Sequence, residues 1–322
     1  MKKSEKLPLI SVIITCYNYG KYVREAVESV LNQTYKNIEI IIINDGSTDE
    51  SDDVIKGILH ENPDRKIQYV NQKNKGVVFS RNRGMAFAKG KYLCCLDADD
   101  WFDADYVAKE FDVAEKTGAD VVYANWRFAG EMSGEAIFQE FNERKLQLQQ
   151  INIKPESLLR ASAIKDKNGE LKLKYFEWTK RRANDWVFFV ALAAEGLKFV
   201  WAKESFVNYR IKSGSMSSSI LLTEEMEIFA KYLDKLGKIY GEKIVSAREF
   251  LISKVGVYSE YSEIYDRKIK ELSRNLDAKN AEILRLENDI KKQNDETQKI
   301  LNSNSYKIGK ITTAPLRIFR EK

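Results

Sequence analysis

Four short apolar runs in the first hundred positions constrain this chain more than any other feature. They are Leu9 to Cys16, Ile38 to Ile43, Ile67 to Val70, and the segment beginning at Lys91. Between them, apolar residues recur at helical spacing: Tyr22, Val23, Ala26, Val27, Val30 and Leu31 within Lys21 to Asn32, then Glu50 to Leu59, then Gly76 through Arg81, Met85 and Ala88. Continuous apolar strands alternating with helices specify a mainly parallel sheet covered on both faces. Right-handed crossovers line up the strand ends along one edge, where open α/β sheets hold their ligands. Three polar clusters are expected there: Thr15-Cys16-Tyr17, Asp45-Gly46-Ser47 and Asp97-Ala98-Asp99.

The last of these is the densest. Leu96-Asp97-Ala98-Asp99-Asp100 packs three carboxylates into four positions, and their mutual repulsion calls for a compensating cation. A strand ending in Asp-x-Asp sets two carboxylates on one side at the lip of a sheet, which suits a hard divalent ion bound through oxygen. Helix capping by Asp100 or Asp103 over the segment Ala104 to Lys116 accounts for one aspartate and leaves the cluster unexplained.

Composition removes several alternatives. In 322 residues the net charge is only +5, which does not suggest nucleic-acid binding. Three cysteines, two of them adjacent in an apolar strand, read as buried small hydrophobes in a reducing compartment. His60 is the single histidine, so neither a histidine metal pair nor a Ser-His-Asp triad is available. Neither a signal peptide nor a membrane span is expected. The first strand is not followed by Gly-x-Gly-x-x-Gly or a P-loop, against dinucleotide and P-loop sites. Nucleotidyl transfer lacks its glycine- and arginine-rich loop.

Further along, Asp120 to Asn125 reads as a strand. Arg127 to Leu171 is less regular, with a helix expected near Phe141 to Gln150 and another starting at Pro155. Asn184-Asp185 opens an apolar helix that ends at Ala194, before Gly196. Two short strands follow, Lys198 to Trp201 and Phe206 to Tyr209, then a serine-rich loop from Ser213 to Ser219.

Taken in order, Ser11-Val12-Ile13-Ile14-Thr15-Cys16-Tyr17-Asn18, Ser29 to Tyr35, Asn44-Asp45-Gly46-Ser47-Thr48-Asp49, Ser80-Arg81-Asn82-Arg83-Gly84 and Leu96 to Asp100 resemble an inverting family 2 glycosyltransferase. The resemblance covers residues 8 to 125 and, less closely, 180 to 219. It implies the GT-A fold, a Rossmann-like α/β sheet flanked by helices, and a nucleotide-sugar donor, most simply a UDP-sugar. On that resemblance Asp99, helped by Asp97, holds Mn2+ or Mg2+ against the donor diphosphate. Asp45 accepts the imide N–H of uracil, Tyr17 stacks on the base, Thr15 lines the same pocket, and Arg81 meets base or phosphate. Asp185 is the expected catalytic base toward a hydroxyl of a glycan or lipid-linked acceptor. The chain departs from the family at Asn184, where a second acid often stands, and at Lys212, near the position of a histidine in many relatives. The departure at Lys212 leaves the family's third protein metal ligand without a counterpart. A lysine there is placed to contact the diphosphate instead.

These readings divide the chain into a glycosyltransferase domain at 1–220, a helical extension at 221–255, a coiled coil at 256–303 and a basic-apolar tail at 304–322. In the coiled coil Ile269, Leu272, Leu276, Lys279, Ile283, Leu286, Ile290, Gln293, Thr297 and Ile300 alternate spacings of three and four, the seam of a parallel homodimer. In the tail, apolar and basic residues interleave around Pro315, the profile of an element lying on an anionic membrane surface. The expected protein is a metal-dependent enzyme of surface polysaccharide synthesis, cytoplasmic and peripheral on the inner face of the cell membrane. The competing reading is a GT-A domain that binds nucleotide without catalysis on a dimeric coiled-coil scaffold.

Overall fold

The computed structural model describes residues 7–179, 183–212 and 222–302. The serine-rich loop and the tail at 304–322 therefore lie outside the described residues. The chain forms two compact units, Met1–Ser253 and Lys254–Lys322.

In the first unit, β1 (Ile10–Cys16), α1 (Gly20–Leu31), β2 (Ile38–Asn44), α2 (Ser51–Glu61), β3 (Ile67–Asn71), α3 (Val77–Phe87) and β4 (Tyr92–Asp97) alternate as the apolar periodicity predicts. Next come β5 (Trp101–Phe102), α4 (Tyr106–Thr117), β6 (Val121–Gly130), β7 (Gly134–Ala136), α5 (Glu143–Gln147), β8 (Leu158–Arg160) and α6 (Ala161–Ile164). The helix α7 (Asn184–Ala194), the strand β9 (Phe199–Ile211) and the helices α8 (Leu222–Tyr240) and α9 (Ala247–Asn302) complete the series.

The strands join one mixed sheet in the order β3-β2-β1-β4-β8-β6-β9-β5, with β7 on β6. Strands β3, β2, β1 and β4 are parallel. The period-two alternation of strand side chains splits the core in two. Val12, Ile14, Ile40, Ile42, Cys94 and Leu96 face one layer with Val23, Val27, Ile55 and Val107 of α1, α2 and α4. Ile13, Ile41, Ile43, Leu93 and Cys95 face the other, with Met85 of α3 and the apolar α7. Helix α3 approaches β1 so closely at Gly84 that a Cβ there would lie 2.2 Å from the Ile13 side chain. Ile13 is fully buried, so it has no room to move aside.

Two expectations are corrected, and helix capping by the acidic cluster is excluded. No helix starts at Pro155: Leu158 and Leu159 enter the sheet as β8, antiparallel between β4 and β6, and the Cys95 amide donates to the Pro155 carbonyl at 2.9 Å. A three-residue strand is too short to show a period of its own. The two short strands expected near Lys198 and Phe206 are one strand, β9, whose register on β6 slips between Ala124 and Asn125. Exposed Lys203 and Glu204 at that irregularity read as a break in the sequence. Asp100 and Asp103 do not cap α4; Asp100 accepts the Arg210 amide, and Asp103 binds Asn208 and Arg127.

Residues 222–253 belong to the first unit. Phe229, Leu233 and Leu236 of α8 and Phe250 of α9 pack into the same buried cluster as Trp186 and Phe188. No helix among the described residues is long and apolar enough to cross a membrane.

Candidate functional site

Strand register sets the site. Thr15 lies opposite Asp97, and Cys16 opposite Asn44, so all three expected polar clusters reach the same sheet edge. The Asp45 amide donates to the Cys16 carbonyl at 2.8 Å, and the Ala98 amide to the Thr15 carbonyl at 3.1 Å, which carries the alignment beyond the strand ends.

Asp45 is buried and organises the loop after β3. Its Oδ1 accepts the Gln72 amide at 2.7 Å and the Lys75 backbone N–H at 2.9 Å, and its Oδ2 accepts the Gly76 N–H at 2.8 Å. Gly46 follows at φ +73°, where a Cβ would meet the Asn74 nitrogen at 2.7 Å, so only glycine fits this turn. An ionised carboxylate has roughly four lone-pair directions, so Asp45 retains acceptor capacity on Oδ2. Tyr17 follows Cys16, which lies opposite Asn44 in the β1–β2 register, and 42% of its surface is exposed, whereas Thr15 is nearly buried at 7%.

Asp97 is held from within the protein. Arg81 Nη2 lies 2.8 Å from both of its carboxylate oxygens, and the Thr15 hydroxyl donates to Oδ1 at 3.1 Å. Burial would raise the Asp97 pKa, but the Arg81 charge and these hydrogen bonds hold it below the ordinary value. Arg81 itself is 4% exposed. Its Nη1 donates to the Asn184 side-chain oxygen at 2.6 Å, so the guanidinium joins the end of β4 to the start of α7.

Asp185 is the next residue of α7 and lies in its first turn, accepting the Trp186 amide at 2.9 Å. Its charge is felt at Arg81 and at Lys154, whose ammonium lies 4.8 Å from the ring centre of Trp126 and 4.7 Å from that of Tyr209. Burial works against the Lys154 charge, yet Asp185, Tyr209, Glu156 and Asp100 raise its pKa.

The remaining acids differ. Asp99 pairs with Lys212, Nζ to Oδ2, at 2.8 Å. Asp100 is driven well above the ordinary carboxylate range by burial and by its acidic neighbours Glu156, Asp99 and Asp97. Glu156 is pushed up to about 8, chiefly by burial and then by Asp97, and its Oε2 is buried without a hydrogen-bond partner.

The one close group of ligating acids among the described residues is Asp97, Asp100 and Glu156, with one ligand atom from each within 4.8 Å of the others. That group differs from the expected pair of Asp97 and Asp99. A divalent ion on the expected pair needs carboxylate oxygens free of other cations. Both Asp97 oxygens face Arg81, and Asp99 faces Lys212. As placed, the pair does not fit a resident ion.

The sequence therefore brings Thr15, Asp97 and Arg81 into one hydrogen-bonded group, with Asp185 one residue beyond its last member, Asn184. It places Asp45 and Tyr17 at the end of the neighbouring strands. Sequence reasoning did not single out Lys154 and Glu156. Both lie in the stretch of weak periodicity, where no residue pattern marked them.

A sequence profile described as "Glycosyl transferase family 2" matches residues 11–165. An uncharacterized glycosyltransferase of Methanocaldococcus jannaschii, MJ1057, is 30% identical over 216 residues, 63% of this chain and 71% of the relative. The chain spans 31% to 48% of the length of several bacterial glycosyltransferases that it also matches. Among solved structures, S. aureus TarS 1-349 in complex with UDP-GlcNAc is similar at a TM-score of 0.57 and 18% identity, over 71% of this chain and 66% of that one. The mannosyltransferase PcManGT from Pyrobaculum calidifontis, in complex with GDP-Man and Mn2+, gives 0.55 at 14% identity, over 73% and 65%. At such identities the structural likeness speaks for the fold.

Proposed function

This chain belongs to glycosyltransferase family 2, and on that premise we propose that it transfers a sugar from a UDP-sugar to a hydroxyl of a glycan or lipid-linked acceptor, with inversion. The observation that carries this reading is the run of hydrogen bonds from Thr15 through Asp97 and Arg81 to Asn184, next to Asp185. It fixes the edge suited to a nucleotide and the carboxylate suited to an acceptor in one frame.

In this reading Oδ2 of Asp45 accepts the imide N–H of uracil, while Tyr17 covers the base. Asp185 takes the proton from the acceptor hydroxyl as its oxygen bonds the sugar carbon. The bond from that carbon to the diphosphate oxygen breaks on the opposite face, and nucleoside diphosphate leaves with the electron pair. A single displacement of this kind inverts the carbon. The same reading makes the protein a cytoplasmic enzyme of surface polysaccharide or glycolipid assembly, with the tail at 304–322 meeting the inner membrane face. Liposome flotation of the intact chain against one ending at Asn304 tests that placement, and equal binding overturns it.

The function is tested with a panel of UDP-, GDP- and dTDP-sugars, scored first by thermal shift and then by NMR of the sugar released on slow donor hydrolysis. One donor is expected to raise the melting temperature and to release the anomer opposite to its own configuration. Donor binding without any hydrolysis or transfer favours the non-catalytic scaffold. Release with retained configuration overturns the inverting mechanism.

A further inference from the structure

A diphosphate arriving at this acidic edge, where Asp99 stands beside the Arg81-paired Asp97, needs a positive partner. Arg81 cannot supply it, because it is buried and its terminal nitrogens are engaged, Nη2 by Asp97 and Nη1 by Asn184. Lys212 is differently placed. Its side chain is 21% exposed, and its ammonium sits 2.8 Å from Asp99, 3.8 Å from the Tyr19 ring centre and 4.9 Å from that of Tyr22. Two residues earlier, Arg210 anchors the strand end. Its amide donates to Asp100 at 2.8 Å, its Nε to the Asp99 carbonyl at 3.0 Å, and its guanidinium pairs with Glu25 and lies over Trp101 and Tyr22. The lysine is thereby held at the mouth of the acidic cluster.

Resting on the donor reading above, we propose that Lys212 is the built-in counter-charge of the donor diphosphate, standing on Asp99 where a divalent ion would otherwise sit. Nucleoside diphosphate then binds without metal. A lysine ammonium is a compact charge with three donors on a flexible stem, so it can keep one hydrogen bond to Asp99 while giving others to phosphate oxygens. The two tyrosine faces hold the cation in place by their negative quadrupoles while the phosphate approaches. The second carboxylate of the expected metal pair is already neutralised by Arg81, so Asp97 and Asp99 are each occupied by a cation of the protein itself. The disagreement between the acidic motif and its internal cations is what this assignment explains.

The test is calorimetric titration of the full chain with UDP and with uridine, in EDTA and in MnCl2, for wild type, Lys212→Ala and Lys212→Arg. GDP, dTDP, CDP and ADP are titrated where UDP does not bind. Wild type is expected to bind UDP in EDTA with a Kd within about threefold of the manganese value. Lys212→Ala should weaken UDP at least about tenfold and leave uridine unchanged, as expected for loss of a charge-assisted phosphate contact. Lys212→Arg should recover most of that loss. Binding of UDP to wild type only with Mn2+, or undiminished binding to Lys212→Ala, overturns the assignment and leaves the donor reading standing. Equal weakening of UDP and uridine also overturns it, since that marks a structural role. Failure of every nucleoside diphosphate in both conditions overturns the donor reading and this assignment with it.

Discussion

Arg81 and Asp97 meet in a two-oxygen ion pair at 2.8 Å, with the arginine buried and the aspartate one-third exposed at its side chain. The same guanidinium reaches Asn184 at 2.6 Å. An arginine of α3 thus couples the acidic end of β4 to the helix that carries Asp185. Removing one partner of such a pair leaves the other uncompensated, which costs more than the pair itself contributes.

Arg81→Met is accordingly expected to lower stability by about 2–3 kcal/mol, a figure reduced from that of a fully buried pair because Asp97 reaches solvent. Chemical denaturation measures it. Arg81→Lys keeps the charge and loses the two-pronged geometry, so it should recover part of the stability. Transfer should remain at least about tenfold below wild type even in the folded protein, because the α7 end is no longer fixed. Wild-type turnover in folded Arg81→Lys would show that the link to Asn184 plays no part in positioning.

Asp185→Asn is expected to abolish transfer, with a fall of about 10²-fold or more, while UDP binding stays at the wild-type value. The substitution is nearly isosteric, and the asparagine oxygen can still accept the Trp186 amide that Asp185 accepts now. Normal turnover in this variant would remove Asp185 as the base.

A different acid, alongside Asp100 and Glu156, contributes to the pH response. Glu110 of α4 is fully buried, and burial pushes its pKa up to about 8, offset in part by the neighbouring Ser205 hydroxyl. A folded pKa above the unfolded value of 4.5 means that the folded state holds this proton more tightly. The stabilisation is fully present below pH 4.5 and is lost as pH rises toward 8. Between those limits the loss amounts to a few kcal/mol, roughly 1.4 for each unit of pH. Glu110→Gln should reduce the slope of stability with pH, by roughly 1.4 kcal/mol per unit, in unfolding curves taken from pH 5 to 8. An unchanged slope would assign the response elsewhere, with Glu156 the next candidate.

The parts of this architecture legible in the sequence are those where local pattern and global position agree. Strands β1, β2 and β4 announce themselves by unbroken apolar runs, and parallel crossovers then force Thr15, Asp45 and Asp97 to one edge. Strand β8 was illegible because three residues carry no period; its state is chosen by ladders to Tyr92 and Val121, far away in the chain. The partners of Arg81 were hidden for the same reason. Asp97 is 16 positions away and Asn184 is 103, and a helical arginine looks alike whether it faces solvent, phosphate or a buried carboxylate. Lys212 was visible as a departure, but its seat on Asp99 depends on the pairing of β5 with β9.

The long helix of the second unit supports a last prediction. Ile283, Leu286, Ile290 and Ile300 occupy a and d positions of the heptad and are 53%, 54%, 58% and 63% exposed. A helix with an apolar seam of this spacing, flanked by Glu, Lys and Asn, is covered most simply by the same seam of a second copy. The intact chain is therefore expected to sediment as a dimer at micromolar concentration. Ile283→Lys combined with Ile290→Lys places two cations on each strand of the seam, directly facing their counterparts in a parallel pair. The double variant should sediment as a monomer while keeping wild-type UDP binding, since these positions lie outside the first unit. Lys279 and Gln293 at d positions weaken the wild-type seam, so Lys279→Leu should act in the opposite direction and lower the dimer Kd. A wild-type chain that sediments as a monomer at tens of micromolar would exclude the zipper, and a double variant that remains dimeric would place the dimer contact on another surface.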